Sequence, residues 1–238
     1  MPRVPALKRI GHKGADHIAP GNSLASFDAA LEAGVDMIEF DVLSEHSDGS
    51  GRLLLAHDYR DARRRPDVVE LDEGLAHFCG EAYADVELDV DLKLAGYEGR
   101  VLDALRERGL LDRTLVSTME GSSLKKVREL EPDVRLGWSV PRVRRDLLAS
   151  RRTRYPAMVA AKAAQRILPG RAARAIRSGA IDALMCHWAL VTPRLARAIP
   201  RAGGELYVWT VDDPARIAWL ESLEVAGIIT NDPRLFVR

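Results

Sequence analysis

Eight short apolar runs punctuate the chain, and a helical stretch separates most of them from the next. The runs lie at 8–12, 37–43, 86–93, 114–119, 135–140, 183–187, 205–211 and 227–230. Helical spacing of apolar residues marks 24–33, 98–108, 122–130, about 142–178, 192–202 and 214–223. Residues 59–84 are charged and irregular, with one short helix near 72–83. Parallel neighbours cannot be joined by a tight turn; they need a crossover of a dozen or more residues, usually a helix. Eight such units in 238 residues predict an α/β fold, a (β/α)8 TIM barrel in a single domain spanning 1–238. A doubly wound open sheet is the alternative, but Gly11-His12-Lys13-Gly14 lacks the glycine-rich phosphate fingerprint expected after its first strand. Asp48-Gly49-Ser50-Gly51 is a tight turn, so 52–57 pairs back as a short β-hairpin excursion after the second strand.

The second run is Met37-Ile38-Glu39-Phe40-Asp41-Val42-Leu43. At period two, Ile38, Phe40 and Val42 share one face, and Glu39 and Asp41 share the other. Two carboxylates on so apolar a strand repel each other, and each is costly to bury alone. A divalent cation removes both penalties, and oxygen ligands at this spacing suit Mg²⁺ or Ca²⁺ better than zinc. The bland reading is the wet face of an edge strand. The third run alternates as cleanly, with Glu87, Asp89, Asp91 and Lys93 opposite Val86, Leu88, Val90 and Leu92.

A barrel of this kind carries its chemistry at the C-terminal ends of its strands. His12, the Glu39–Asp41 pair, His57, Asp91, Lys93 and Trp209 all fall there, so the fold gathers them at one rim. Asp91 lies nearer its strand end than Asp89 and is the expected third cation ligand. A cation on Glu39, Asp41 and Asp91, Lys93 facing a phosphate, and His12 and His57 as general base and general acid together suit phosphodiester cleavage. Trp209 is expected to face the barrel mouth, with Val208 and Thr210 on the other face. There its ring would pack on a substrate carbon chain or a cationic group.

Thirty-five basic and thirty-five acidic residues cancel, so global charge points to no nucleic-acid partner. The balance conceals a segment, 142–177, with eleven basic residues and one acid, Asp146. Its arginines either pair with the acidic remainder of the chain or draw it to an anionic membrane or substrate. Cys79 and Cys186 have no disulfide-framework or zinc spacing. No apolar stretch has signal-peptide or membrane-span length, and a cytoplasmic protein is expected.

His12-Lys13-Gly14, Asn22-Ser23, Ile38-Glu39-Phe40-Asp41-Val42 and His57-Asp58 resemble the glycerophosphodiester phosphodiesterase family in order and spacing. Val90-Asp91-Leu92-Lys93, Trp209-Thr210-Val211 and Gly227-Ile228-Ile229-Thr230-Asn231 continue the resemblance over nearly the whole chain. It implies the (β/α)8 barrel and one divalent cation, Mg²⁺ or Ca²⁺. It also implies hydrolysis of small-molecule glycerophosphodiesters to glycerol 3-phosphate and an alcohol, with Lys13 on the phosphate. The chain departs from the family in having Lys13 for arginine, Gly21 for glutamate and Asp91 for glutamate. Phospholipase D-like action on lysophospholipids, or a catalytically weakened barrel that only binds a phosphodiester, are the other readings. The presence of both His12 and His57 favours an enzyme.

Overall fold

The computed structural model describes residues 7–141 and 151–236. Its first strand, β1 (Lys8–Gly11), hydrogen-bonds on one side to β2 (Met37–Ser44) and on the other to the last strand of the chain, Gly227–Thr230. The sheet therefore closes on itself. Between these ends run β3 (Leu53–Leu55), β4 (Glu87–Leu92), β5 (Thr114–Thr118), β6 (Arg135–Val140), β7 (Ala183–His187) and β8 (Glu205–Trp209), which makes Gly227–Thr230 β9. Every pairing in the ring β1-β2-β4-β5-β6-β7-β8-β9 is parallel. This is the eight-stranded barrel that the strand–helix alternation predicts.

β3 lies outside the ring for a simple reason of length. β1 ends at Gly11, opposite Ile38, while β2 runs on to Ser44. The edge that β1 leaves open is taken by β3, antiparallel, with Val42 opposite Leu55 and Ser44 opposite Leu53. The overhanging end of β2 is thus paired, and β3 delivers residues 56–58 to the same rim.

Eight helices are described: α1 (Leu24–Glu32), α2 (Tyr59–Arg64), α3 (Leu71–Phe78), α4 (Glu98–Glu107), α5 (Gly121–Leu130), α6 (Arg151–Arg177), α7 (Pro193–Arg201) and α8 (Pro214–Ser222). Their starts are written locally. Ser23 accepts the N–H of Ser26, and Thr192 and Asp213 cap α7 and α8 just before a proline at the first helical position. Proline costs nothing there, because that N–H has no partner inside the helix. Phe27 of α1, Phe40 of β2 and Phe78 of α3 pack between barrel and helices, with ring centroids 4.8–5.8 Å apart. Ile10, Met37, Leu115, Ala183, Met185, Tyr207 and Ile229 form a separate apolar cluster. Below it, Arg135 joins Glu87, Glu205 and the Tyr207 hydroxyl, and Lys8 joins Glu87, tying the strand starts together with ion pairs.

Two sequence expectations are refined. The stretch 59–84 holds α2, α3 and a short 3₁₀ turn at Glu81–Tyr83. α2 buries no side chain, so no apolar period marks it; Asp58 fixes its start by accepting the N–H groups of Arg60 and Asp61. The long basic helix begins, among the described residues, at Arg151, and 142–150 lie outside them. No described helix is long and apolar enough to cross a membrane.

Candidate active site

Glu39 and Asp41 project from the same face of β2, and strand register sets Glu39 opposite Asp89 and Asp41 opposite Asp91. All four carboxylates are buried. Ligand oxygens of Glu39, Asp41 and Asp91 lie within 4.8 Å of one another. Lys93, one turn of the pleat beyond Asp91, reaches back so that its ammonium contacts Asp41 Oδ1 and lies 2.5 Å from Asp91 Oδ2.

The charges do not balance. Counted as ionised, Glu39, Asp41 and Asp91 exceed the one ammonium by two negative charges. Asp91 Oδ1 has no hydrogen-bond partner among the described residues. Burial, together with the charge of Asp41, holds Glu39 well above the usual carboxylate range. Burial also raises Asp91, although Lys93 opposes it. Burial works against the charge of Asp41 too, but Lys93 outweighs it and Asp41 lies low. Lys93 is held charged: burial disfavours its ammonium, and Asp41, Asp91 and Glu39 outweigh that. A donor set of three close carboxylate oxygens short of two positive charges fits a divalent cation.

The loop after β1 supports this centre. Lys13 and Gly14 both have positive φ, 50° and 86°. The turn aims the Lys13 N–H at Glu39 Oε2, 2.8 Å away. A Cβ on Gly14 would come within 2.5 Å of the Ser26 hydroxyl, which itself bonds the Lys13 carbonyl and the Ala15 N–H. Asn22, at φ 56°, donates from Nδ2 to Asp41 Oδ2 at 2.8 Å and accepts the Asp41 N–H at 3.0 Å. Asparagine tolerates that left-handed backbone better than most side chains.

His12 follows β1 and is pinned from the last strand. Its Nδ1 lies 2.5 Å from Asn231 Oδ1. Asn231 gives its Nδ2 proton to Asp212 at 2.7 Å, so its oxygen must face His12, and Nδ1 of His12 carries the ring proton. Nε2 is left with its lone pair, 3.8 Å from Glu39. Burial, reinforced by the nearby charge of Lys13, pushes His12 down to about 4. His57 stands at the lip, half exposed, with Nδ1 3.5 Å from Asp58.

These groups surround a cavity of about 150 Å³ lined by His12, Glu39, His57, Asp89, Asp91 and Lys93, with Ser117, Met119, Ser139, Met185, Trp209, Thr210 and Ile229 as further walls. Asp41 is wholly buried and is not part of the wall. Trp209 meets His187 edge-to-face at 5.2 Å. Thr210 also lines the cavity, contrary to the alternation expectation, because β8 ends at Trp209 and strand geometry no longer governs the next residue. Lys13 stands apart from the cavity: its ammonium pairs with Asp16 at 3.5 Å, and its backbone N–H is what reaches the centre.

Sequence reasoning did not assign Asn22, Asn231, Asp212 or Ser117 to the site. Asn22 and Asn231 stand within the motifs that carry the family resemblance, but their partners are distant in sequence. Asp89 shares the face of Asp91 by the alternation of β4, and the strand register sets it opposite Glu39 in the cavity wall.

The glycerophosphoryl diester phosphodiesterase family model matches residues 12–63 and 81–235. A glycerophosphodiester phosphodiesterase of Caldanaerobacter subterraneus subsp. tengcongensis is 23% identical, over 96% of this chain and 95% of that protein. The barrel superposes on a glycerophosphodiester phosphodiesterase from Parabacteroides distasonis with a TM-score of 0.73 at 17% identity, covering 95% of this chain and 93% of that one. An Oleispira antarctica phosphodiesterase, solved with its product sn-glycerol-3-phosphate, gives a TM-score of 0.69 at 17% identity, covering 95% and 94%. A family match running from the first histidine to beyond the last strand settles the matter: the chain belongs to the glycerophosphoryl diester phosphodiesterase family of phosphoric diester hydrolases.

Proposed function

We propose that this protein hydrolyses a glycerophosphodiester to glycerol 3-phosphate and an alcohol, with a divalent cation, Mg²⁺ or Ca²⁺, held by Glu39, Asp41 and Asp91. One observation carries the reading: three buried carboxylates within 4.8 Å of one another sit at a cavity whose lining includes two histidines, His12 and His57. The cation, when bound, supplies positive charge to the phosphate oxygens and lowers the pKa of a nearby hydroxyl.

The side chains take the remaining roles. Lys93 offers a second positive charge to the phosphate from within the cavity wall. Lys13 acts mainly through its backbone, by orienting Glu39. His12 is the general base: its Nδ1 proton is committed to Asn231, and its buried Nε2 keeps a lone pair at neutral pH. His57, at the open lip where a leaving alcohol departs, is the general acid. If the free glycerol hydroxyl attacks first, a cyclic phosphate forms and water then opens it. Trp209 forms the wall against the glycerol carbons. The Oleispira antarctica complex supports a glycerophosphate-sized ligand in a barrel of this shape.

The test is ³¹P NMR of glycerophosphocholine turnover. Glycerol 3-phosphate should appear with Mg²⁺ or Ca²⁺ present and stop with a chelator. His12→Ala and His57→Ala should each lose at least about a hundredfold in rate, the low end for general acid–base catalysis. Chelator-insensitive turnover, or near-normal rates in either variant, contradicts the reading.

A further inference from the structure

Arg65 follows α2 and turns back beneath the rim. Its side chain is only 19% exposed. Its guanidinium donates to three backbone carbonyls: Leu55 at 2.6 Å, Gly21 at 2.5 Å and, more weakly, Asn22 at 3.4 Å. Its Nε lies 3.9 Å from Asp61 Oδ1, and Asp61 Oδ2 accepts the His57 N–H at 3.1 Å.

One cation therefore touches the loop after β1 and the last residue of β3, which no strand ladder joins. That loop carries Asn22, which holds Asp41 through two hydrogen bonds. Leu55 ends β3 two residues before His57, and Asp61 of α2 links the guanidinium to the His57 N–H. β1 and β3 each pair with β2 but not with each other. The Gly21 and Asn22 carbonyls belong to the turn that sets Asn22 in its left-handed conformation. Without Arg65 that turn loses partners for strong acceptors that the fold has partly withdrawn from water. A guanidinium suits the task because its fork presents five donors in fixed directions, whereas an ammonium is a single point. Arg65 does not line the cavity, so it acts through the residues it holds.

We infer that Arg65 is a positioning residue: it sets Asn22 against Asp41 and holds His57 at its place across the cavity mouth. The rate consequence rests on the proposed reaction, and the cation consequence on the proposed cation site alone.

The full-length chain is tested as Arg65→Ala and Arg65→Lys, at a temperature well below every melting midpoint. Both should lower kcat about ten- to a hundredfold, as loss of a group that orients ligands does, and leave KM for glycerophosphocholine within about twofold. Calorimetric Mg²⁺ affinity should fall several-fold in both, because Asn22 no longer holds Asp41. Guanidinium ion at millimolar concentrations should restore part of the lost rate to Arg65→Ala and none to Arg65→Lys. A merely structural Arg65 gives the opposite pattern: a lowered melting temperature with kcat and Mg²⁺ affinity unchanged at the assay temperature. That result overturns the inference, as do wild-type values of both quantities in Arg65→Ala. If the wild type hydrolyses no glycerophosphodiester, the proposed reaction fails, and the Mg²⁺ titration still decides the role of Arg65.

Discussion

Asp36 shows at the residue scale how this chain ties its site to its frame. It sits just before β2 and accepts the backbone N–H of Arg9 at 2.8 Å, while its oxygens take Nε and Nη2 of the same residue at 3.0 Å each. The entry of β2 is thereby fixed to β1, three residues before Glu39. Burial pushes the Asp36 carboxyl up, but the hydrogen bonds from Arg9 outweigh it, and the group lies below its ordinary value of 3.8. A carboxylate with a depressed folded pKa contributes stability that is present above the unfolded value and lost as pH falls through the folded one. Asp36→Asn should therefore lower the melting temperature at pH 7 and cost progressively less as pH falls below 3.8. Thermal unfolding of both proteins from pH 7 to pH 3 checks this; a pH-independent difference would assign the loss to packing alone. At this scale the sequence was informative where side chains alternate along one strand. Glu39 with Asp41, and Asp91 with Lys93, could each be placed on one shared strand face from period two alone. Asn22, Asn231 and Arg65 could not be given their partners, because those contacts join segments 19, 219 and 44 residues apart. Local pattern carries no such information.

At the scale of elements, the site depends on a mismatch in strand length. β1 is short and stops at Gly11, which frees the upper half of β2 to pair with β3 and lets the β1–α1 loop fold across Glu39. Gly11 makes the stop possible. A Cβ there would lie 2.0 Å from the Gly14 carbonyl oxygen, which is backbone and cannot swing aside. Gly11→Ala should cost about 1–3 kcal/mol, as overpacking of a dense interior does, and should weaken cation binding as well, because Lys13 loses its aim at Glu39. Chemical denaturation and a Ca²⁺ titration on the same preparation measure both; a variant with wild-type stability and affinity would show that the loop has room to adjust. The hairpin was legible because Asp48-Gly49-Ser50-Gly51 is too short for a crossover. α2 was not, because a six-residue helix that buries nothing leaves no period to read. The polar faces of β2 and β4 line the interior of a closed ring, a fact that resides in the pairing of β1 with β9 and in no single strand.

The whole molecule is a neutral barrel whose floor is closed by ion pairs between strand starts and whose rim concentrates unpaired negative charge. Buried carboxylates in excess of their cationic partners either take up protons or are completed by a cation from solution. The central claim is that a single divalent cation completes them, at Glu39, Asp41 and Asp91. The most direct measurement is calorimetric titration of chelator-treated protein with Mg²⁺ and with Ca²⁺, run in parallel on Glu39→Gln, Asp41→Asn and Asp91→Asn. The expected result is one site per chain in the wild type and affinity lowered at least about tenfold in each variant. Unchanged affinity in all three variants, or no binding of either ion by a folded wild type, would contradict it.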